Sequence, residues 1–499
     1  MSGSGSVEVP GRSRKTLPPV KARIALIVRL AEAAEWIDGQ GSLCDTPHPV
    51  EKRYFIHTFG CQMNESDSQR MGEALARAGW GPTETAESAD LVLVNTCAIR
   101  EKAEDKLYSA LGRYRLLKAR RGTRIGVAGC VAQQEKAQLL ERAPYVDFVL
   151  GPDQLARVPD LVDRGGVETG WVDSEEYVFP QADPEGSRGR ATAFVTAMKG
   201  CDNVCSFCVV PYTRGREVSR PYAEIVREIA ALVSVGVREV TLIGQNVNSY
   251  AGGCSFAELL RRVDAVPGLQ RIRFTTSHPM DLSPELVRCF FEVQRLMPHF
   301  HLPVQHGADA VLQRMRRKYT IAQYEERIGQ LPSGVALTSD IICGFPGETA
   351  AEHALNLSFL QRTPYASLFS FIYSPRPHTG ALLKVGSGPE WEEIPRALAL
   401  QRLEDVQALQ RARTLARHAA LVGAEVEVLV ENAQGPRRFG RTRENVAAHF
   451  EGDAAVGDLV RVRVQKTGLM ALDGIQAGIE DKAPLTMARP RRHLAIVSA

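Results

Sequence analysis

Three cysteines fall within eight residues, Cys201, Cys205 and Cys208, in the run GCDNVCSFCVVPYTRGREVSRP. Their number decides the chemistry. A structural zinc ion asks for four closed ligands and no fourth Cys or His stands nearby, whereas a 4Fe-4S cluster held by three cysteines leaves one iron open for another ligand. The spacing therefore points to a redox cluster, with zinc or plain buried thiols as the competing reading.

A second set is dispersed. Cys61, Cys97 and Cys130 each follow a short apolar run, HTFGC, LVNTC and GVAGC. If those runs are parallel strands, their carboxyl ends share one crevice, and residues 36 and 33 positions apart in the chain meet there. A second cluster and three buried structural cysteines both fit this placement, because free Cys is among the most buried residue types. Cys44, Cys254, Cys289 and Cys343 show no local pattern.

The elements that must position these thiols are legible in the hydrophobic pattern. A chain of 499 residues predicts about three domains. Residues 1–50 read as an extension, a Ser/Gly/Pro tail with one helix over Lys21 to Trp36; its basic, acid-poor opening admits an organelle transit peptide or a disordered tail. Residues 52–172 alternate apolar strands with helical stretches, a βαβαβ pattern and hence an α/β domain on a parallel sheet. A polar, Pro/Gly-rich segment at Glu175 to Gly189 marks a boundary. Residues 187–416 hold about six βα repeats, a full or partial barrel whose working face is the carboxyl ends of its strands, closed by a charged helical linker. Residues 418–480 alternate apolar and polar with Gly-containing turns, predicting a small antiparallel β-barrel, and 481–499 form a tail.

Other candidates follow from this frame. Gln245 and Asn246 end the strand VTLIG, and Ser277 and His278 end RIRFTT, so all four face the barrel mouth unless they are buried polar caps. Basic residues cluster at Arg113, Arg115, Lys118, Arg120, Arg121 and Arg124, and again at Arg314, Arg316, Arg317 and Lys318. Solvated helix faces account for either cluster equally well. Arg437, Arg438, Arg441 and Arg443 surround Phe439, a combination suited to phosphate contact plus base stacking. The 61 Lys+Arg against 58 Asp+Glu leave a formal charge of +3, so nucleic-acid affinity must come from such local patches.

The run around Cys201 resembles the radical S-adenosylmethionine enzymes, in which the open iron chelates the amino acid part of the cofactor. With GQNVNSY, TTSHP, HLPVQ and SDIICGFPGE downstream, the chain is similar to the MiaB-type tRNA methylthiotransferases over roughly Arg53 to Ile479. HTFGCQMN, NTCAIREKAEDK and VAGCVAQQ resemble that family's auxiliary-cluster motifs. The resemblance implies two 4Fe-4S clusters on the six cysteines. It also implies S-adenosylmethionine as methyl donor and as source of a 5′-deoxyadenosyl radical, and an adenosine beside the tRNA anticodon as substrate. It places Asp340 where relatives contact the cofactor's ribose or adenine, and the C-terminal barrel resembles a TRAM domain, an OB-like RNA-binding module. Implied partners are tRNA, an electron donor such as a flavodoxin or ferredoxin, and proteins supplying sulfur or iron-sulfur clusters to a cytoplasmic monomer. His306 and Cys343 depart from the family pattern; His306 is either a local acid or base or a packing residue, and Cys343 a buried inert thiol.

Two other functions compete. One keeps the enzyme class and changes the substrate to threonylcarbamoyl-adenosine or a ribosomal-protein aspartate; VVPYTRGRE and GQNVNSY favour the isopentenyladenosine enzyme. The other is a non-catalytic zinc RNA-binding protein. No apolar run is long enough to span a bilayer, and cysteines this sparse exclude a disulfide scaffold.

Overall fold

In the N-terminal sheet, the strand Leu91–Thr96 is buried on both faces. Val92 and Val94 pack into one core with Leu107, Leu111 and Ile125, while Leu91 and Leu93 pack into the opposite one with Met71, Leu75 and Phe148. An unbroken apolar run is what a parallel strand with helices on both sides demands. The computed structural model describes residues 52–98, 102–180, 182–484 and 496–498; the helix expected over Lys21 to Trp36 and Cys44 lie outside them. The sheet is parallel throughout, with neighbours Gly81–Pro82, Arg53–Thr58, Leu91–Thr96, Arg124–Gly129, Phe148–Leu150 and Gly166–Glu168. The expected strands and the helices Gln62–Arg77 and Lys102–Arg121 are in place.

The segment expected as a tail returns to this sheet. Ile496–Ser498 pairs parallel with Ile56, His57 and Thr58. Gly81–Pro82 covers that edge only as far as Tyr54, so the rest of the strand's ladder is free to accept a partner.

Six further parallel strands form two three-stranded sheets in chain order. Thr192–Thr196, Glu239–Ile243 and Arg271–Phe274 make the first, and His299–His301, Ala336–Cys343 and Ser367–Ile372 the second. The two halves touch at a bridge between Ile272 and Leu296, which makes a partial barrel. Val195, Val240, Leu242, Ile272, Phe274, Phe300, Leu337 and Ile341 pack beneath the helices. By strand alternation Thr241, Arg273, His301, Asp340 and Phe369 face the opposite, inner side.

The helix Arg396–Ala419 is a wall of this domain rather than a linker. Ala399, Arg402, Val406, Gln410, Thr414 and His418 are buried at helical spacing, and Gln410 donates to the Ala366 carbonyl at 3.2 Å. The segment Glu175 to Gly189 is likewise anchored: Phe179 and Ser187 are buried, and the Tyr177 ring receives the Lys199 ammonium at 3.7 Å.

The C-terminal barrel closes through Glu425–Gln434, Arg437–Thr442, Ala447–Glu451, Ala471–Asp481 and Leu459–Thr467. Four of its five junctions are antiparallel, as the pattern predicts, but Ala447–Glu451 and Ala471–Asp481 run parallel. Parity requires it: five strands in a closed ring cannot all alternate in direction. Two buried arginines pin this barrel to the base of the larger one. Arg271 donates to the Arg441 carbonyl and pairs with Glu427 at 2.7 Å, and Arg273 donates to the carbonyls of Thr442 and Arg443. The described residues form a single compact unit.

Candidate metal centres

The strand Thr192–Thr196 and the short Met198–Lys199 deliver a loop that carries Cys201, Cys205 and Cys208 over the carboxyl ends of the barrel strands. Gly200 makes the turn at φ +76, where a Cβ would meet the Arg216 carbonyl oxygen at 1.9 Å. The loop is tied down by bonds from the Cys201 amide to the Gly215 carbonyl (3.2 Å) and from Ser206 to the Arg314 and Met315 carbonyls. Burial pushes the Cys201 thiol up to about 11, with nearby Glu217 and Cys205 adding to the rise. Burial, and then the charge of Cys205, raises Cys208 to about 12. Three mutually repelling sulfurs in a half-buried loop favour a cationic centre, which deprotonates its ligating thiols.

Arg317 completes this site. Its buried guanidinium donates to Cys205 Sγ at 3.3 Å, to the Pro303 carbonyl at 2.7 Å and to the Tyr319 hydroxyl at 3.0 Å. The cluster RMRRK is therefore partly committed: Arg317 serves the cysteine loop and Arg314 makes a two-pronged contact with Glu352, while Arg316 and Lys318 are exposed. The patch around Arg113 is also partly committed, since Lys118 and Arg124 converge on Asp147 and Arg115 covers the Tyr145 ring.

Cys61, Cys97 and Cys130 do share the sheet's carboxyl crevice. Gly129, at φ +93, turns the strand into the helix that Cys130 opens; a Cβ there would stand 2.4 Å from the Thr96 carbonyl oxygen. Asn64 donates to the Asn95 side chain at 3.0 Å and Asn95 returns a bond to the Asn64 carbonyl at 2.8 Å, which locks the Cys61 turn to the Cys97 strand end. A hydrogen bond from Cys97 lowers the Cys61 thiol to about 6 against the opposing effect of burial, with the positive charge of Arg214 helping. Arg214 donates through Nε to Cys130 Sγ at 3.3 Å, and through Nη2 to Asp67 at 2.7 Å and Asn64 at 3.4 Å. Among the described residues no three His, Cys, Asp or Glu side chains meet closely enough to hold a single metal ion.

At the barrel mouth three of the four residues expected to face a cofactor carry orphaned polar atoms. Gln245 Nε2, Asn246 Oδ1 and Ser277 Oγ are buried without a hydrogen-bond partner. Buried polar groups are ordinarily satisfied, and three open polar atoms at neighbouring strand ends fit a polar ligand. Asp340 stands deeper on the inner face, 3.6 Å from His301 Nε2. His278 instead accepts the Met280 amide as a cap, and burial, then Arg317, drives its pKa far down. His306 is fully buried on Glu348 at 3.3 Å and accepts the Ala308 amide, which makes it a packing residue. Cys343 lies in the core, its thiol pushed far up by burial.

Of the four C-terminal arginines the strand's alternation exposes two with the Phe439 ring. Arg437 pairs loosely with Asp473 at 3.3 Å, and Arg441 with Glu431 at 3.6 Å while lying 5.8 Å from Phe439. Phe439 in turn sits 5.1 Å from the His449 ring. Arg443, in the following turn, is exposed. Arg438 points the other way and is spent on the Gly435 and Ala454 carbonyls, which removes it from the expected RNA contacts.

Comparison with known proteins agrees with this arrangement. A model of the Radical SAM superfamily matches residues 195–359, and one of the Uncharacterized protein family UPF0004 matches residues 53–151. The tRNA-2-methylthio-N(6)-dimethylallyladenosine synthase of Anaeromyxobacter sp. (strain Fw109-5) is 60% identical over 438 residues, covering 85% of this chain and 95% of the relative. That of Myxococcus xanthus (strain DK1622) is 54% identical over 460 residues, covering 89% and 99%. The solved radical S-adenosylmethionine methyltransferase TsrM from Kitasatospora setae shares the fold at a TM-score of 0.52 and 15% identity, over 72% of this chain and 91% of its own. With the cysteine loop at a barrel mouth, the second triad in a parallel-sheet crevice and identities this high over nearly whole chains, this chain belongs to the radical SAM family of tRNA-2-methylthio-N(6)-dimethylallyladenosine synthases.

Proposed function

We propose that the chain converts N(6)-dimethylallyladenosine beside the tRNA anticodon to its 2-methylthio derivative. The observation that carries this reading is that both cysteine triads lie at the carboxyl ends of parallel strands and are joined by one short helix, Val210–Arg214. Cys201, Cys205 and Cys208 hold the radical-site 4Fe-4S cluster, and Cys61, Cys97 and Cys130 hold an auxiliary one. When bound, the first cluster supplies the electron that cleaves S-adenosylmethionine, and the second holds the sulfur to be transferred. Gln245, Asn246, Ser277 and Asp340 orient the cofactor between them. An unreactive ring C–H bond needs that one-electron chemistry, which a zinc RNA-binding protein lacks. An electron donor of the flavodoxin or ferredoxin class and cluster- or sulfur-supplying proteins are the implied partners. Among the described residues no helix is long and apolar enough to cross a membrane.

The test is nucleoside mass spectrometry of tRNA from cells lacking the protein. Dimethylallyladenosine should accumulate and its methylthio derivative vanish. Loss of methylthio groups only from threonylcarbamoyl-adenosine would move the chain to the sister activity, and an unchanged nucleoside profile would end the reading.

The C-terminal barrel anchors the tRNA through Arg437, Arg441 and Arg443, with Phe439 available for stacking. Replacing these three by Ala should weaken tRNA binding and flatten its log–log salt dependence by about two to three units, the counterion release of three phosphate contacts. Cofactor cleavage without tRNA should not change. Arg438→Ala should behave oppositely, lowering the melting temperature through its lost carbonyl bonds while leaving the salt slope alone. A triple variant with wild-type affinity and slope would shift the anchor to the exposed arginines around Arg113.

A further inference from the structure

We propose that Arg214 is a positioning residue of the auxiliary centre: a guanidinium carried by the radical-site loop hydrogen-bonds the Cys130 sulfur, raises the reduction potential of the cluster held there and fixes it to the radical site. The inference rests on the second cluster proposed above, and it adds a residue from the other domain to that cluster's surroundings.

The placement is specific. Arg214 is 5% exposed, and its Nε and Nη2 are both committed at this crevice, to Cys130, Asp67 and Asn64. Asn64 is itself the acceptor for the Cys61 thiol at 3.5 Å. One side chain thus bonds the Cys130 sulfur directly and, through Asn64, braces the turn that carries Cys61. It arrives from the chain that holds the other triad. Helix Val210–Arg214 begins two residues after Cys208, so Arg214 follows that cysteine by six residues at the far end of one short helix. Gly215, at φ +74, ends the helix there and turns the backbone away.

An N–H···S bond draws electron density from a ligating thiolate and so favours the reduced, more negative cluster; the potential rises. A buried guanidinium adds positive charge in the same sense. Asp67, at 2.7 Å, partly offsets that charge and aims the fork. The radical site repeats the device with Arg317 on Cys205 at 3.3 Å, drawn from a distant loop. Each cysteine triad therefore has one sulfur bonded to a buried arginine, and only Arg214 belongs to the loop of the other triad.

The experiment is an EPR-monitored redox titration of the anaerobically reconstituted full-length protein, with iron counted per chain. Arg214→Gln should lower the auxiliary midpoint enough to change its oxidised-to-reduced ratio about tenfold at fixed potential, which is about 59 mV for a one-electron couple. The radical-site midpoint should stay put. Asp67→Asn, which leaves Arg214 less compensated, should move the auxiliary midpoint the opposite way, and Arg317→Gln should shift only the radical-site signal. Unchanged auxiliary midpoints in both Arg214→Gln and Asp67→Asn would overturn the proposal. If Arg214→Gln fails to retain iron, Asp67→Asn decides alone, with no upward shift counting against it. A wild-type protein that holds only about four irons would instead remove the second cluster and, with it, the reading beneath the proposal.

Discussion

Replacing any one of Cys201, Cys205 and Cys208 by Ala is expected to abolish reductive cleavage of S-adenosylmethionine while leaving about four irons per chain, those of the other cluster. With two ligands the radical-site cluster is lost, and the open iron that chelates the cofactor goes with it. The orphaned atoms of Gln245, Asn246 and Ser277 cannot substitute, because hydrogen bonds orient a cofactor without supplying an electron. The fold should survive, since the loop is held by backbone bonds to Gly215 and Met315 and by the Ser206 hydroxyl on the Arg314 carbonyl, none of which involves the thiols. Undiminished 5′-deoxyadenosine formation in any of the three variants would sink the assignment.

Where local pattern fixes geometry, the reading from sequence and the structure coincide. The six strands of the partial barrel answer to the six βα repeats expected, because each keeps one apolar face for the helices outside it, as Leu337 and Ile341 do in Ala336–Cys343. The convergence of Cys61, Cys97 and Cys130 was legible for the same reason. Each closes a strand of a parallel sheet, and parallel strands end together.

What stayed hidden depends on partners far away in the chain. Arg214 stands in a recognised motif and Arg317 in a run of basic residues, yet neither position announces a sulfur 84 or 112 residues off. A run of positive charge looks the same whether it meets phosphate or a buried thiol. The inward turn of Arg438 was within reach of strand alternation, which puts it on the opposite face from Arg437, Phe439 and Arg441. The parallel junction in the C-terminal barrel could also have been foreseen from five strands and closure. The burial of helix Arg396–Ala419 was masked by its charge, because Arg402 and Gln410 occupy its inner stripe and find backbone carbonyls there.

The Cys61, Cys97 and Cys130 variants should separate the two halves of the reaction. Each single Ala substitution, and the triple, is expected to lower iron from about eight to about four per chain and to stop formation of the methylthio nucleoside. Reductive cleavage of S-adenosylmethionine should persist, because Cys201, Cys205 and Cys208 sit on another set of strands with their own arginine. Folding is not the discriminating variable: Cys to Ala removes one sulfur, and the Asn64–Asn95 pair still joins the strand ends. Arg214 would lose its sulfur acceptor in Cys130→Ala but keep Asp67, so a modest fall in melting temperature is expected there and less in Cys61→Ala. The measurement is paired, with 5′-deoxyadenosine and modified nucleoside quantified in one anaerobic reaction. Cleavage without product would place sulfur transfer at this triad. A normal yield of methylthio product from the triple variant would show that these three thiols only pack, and would leave sulfur delivery to a group outside the crevice.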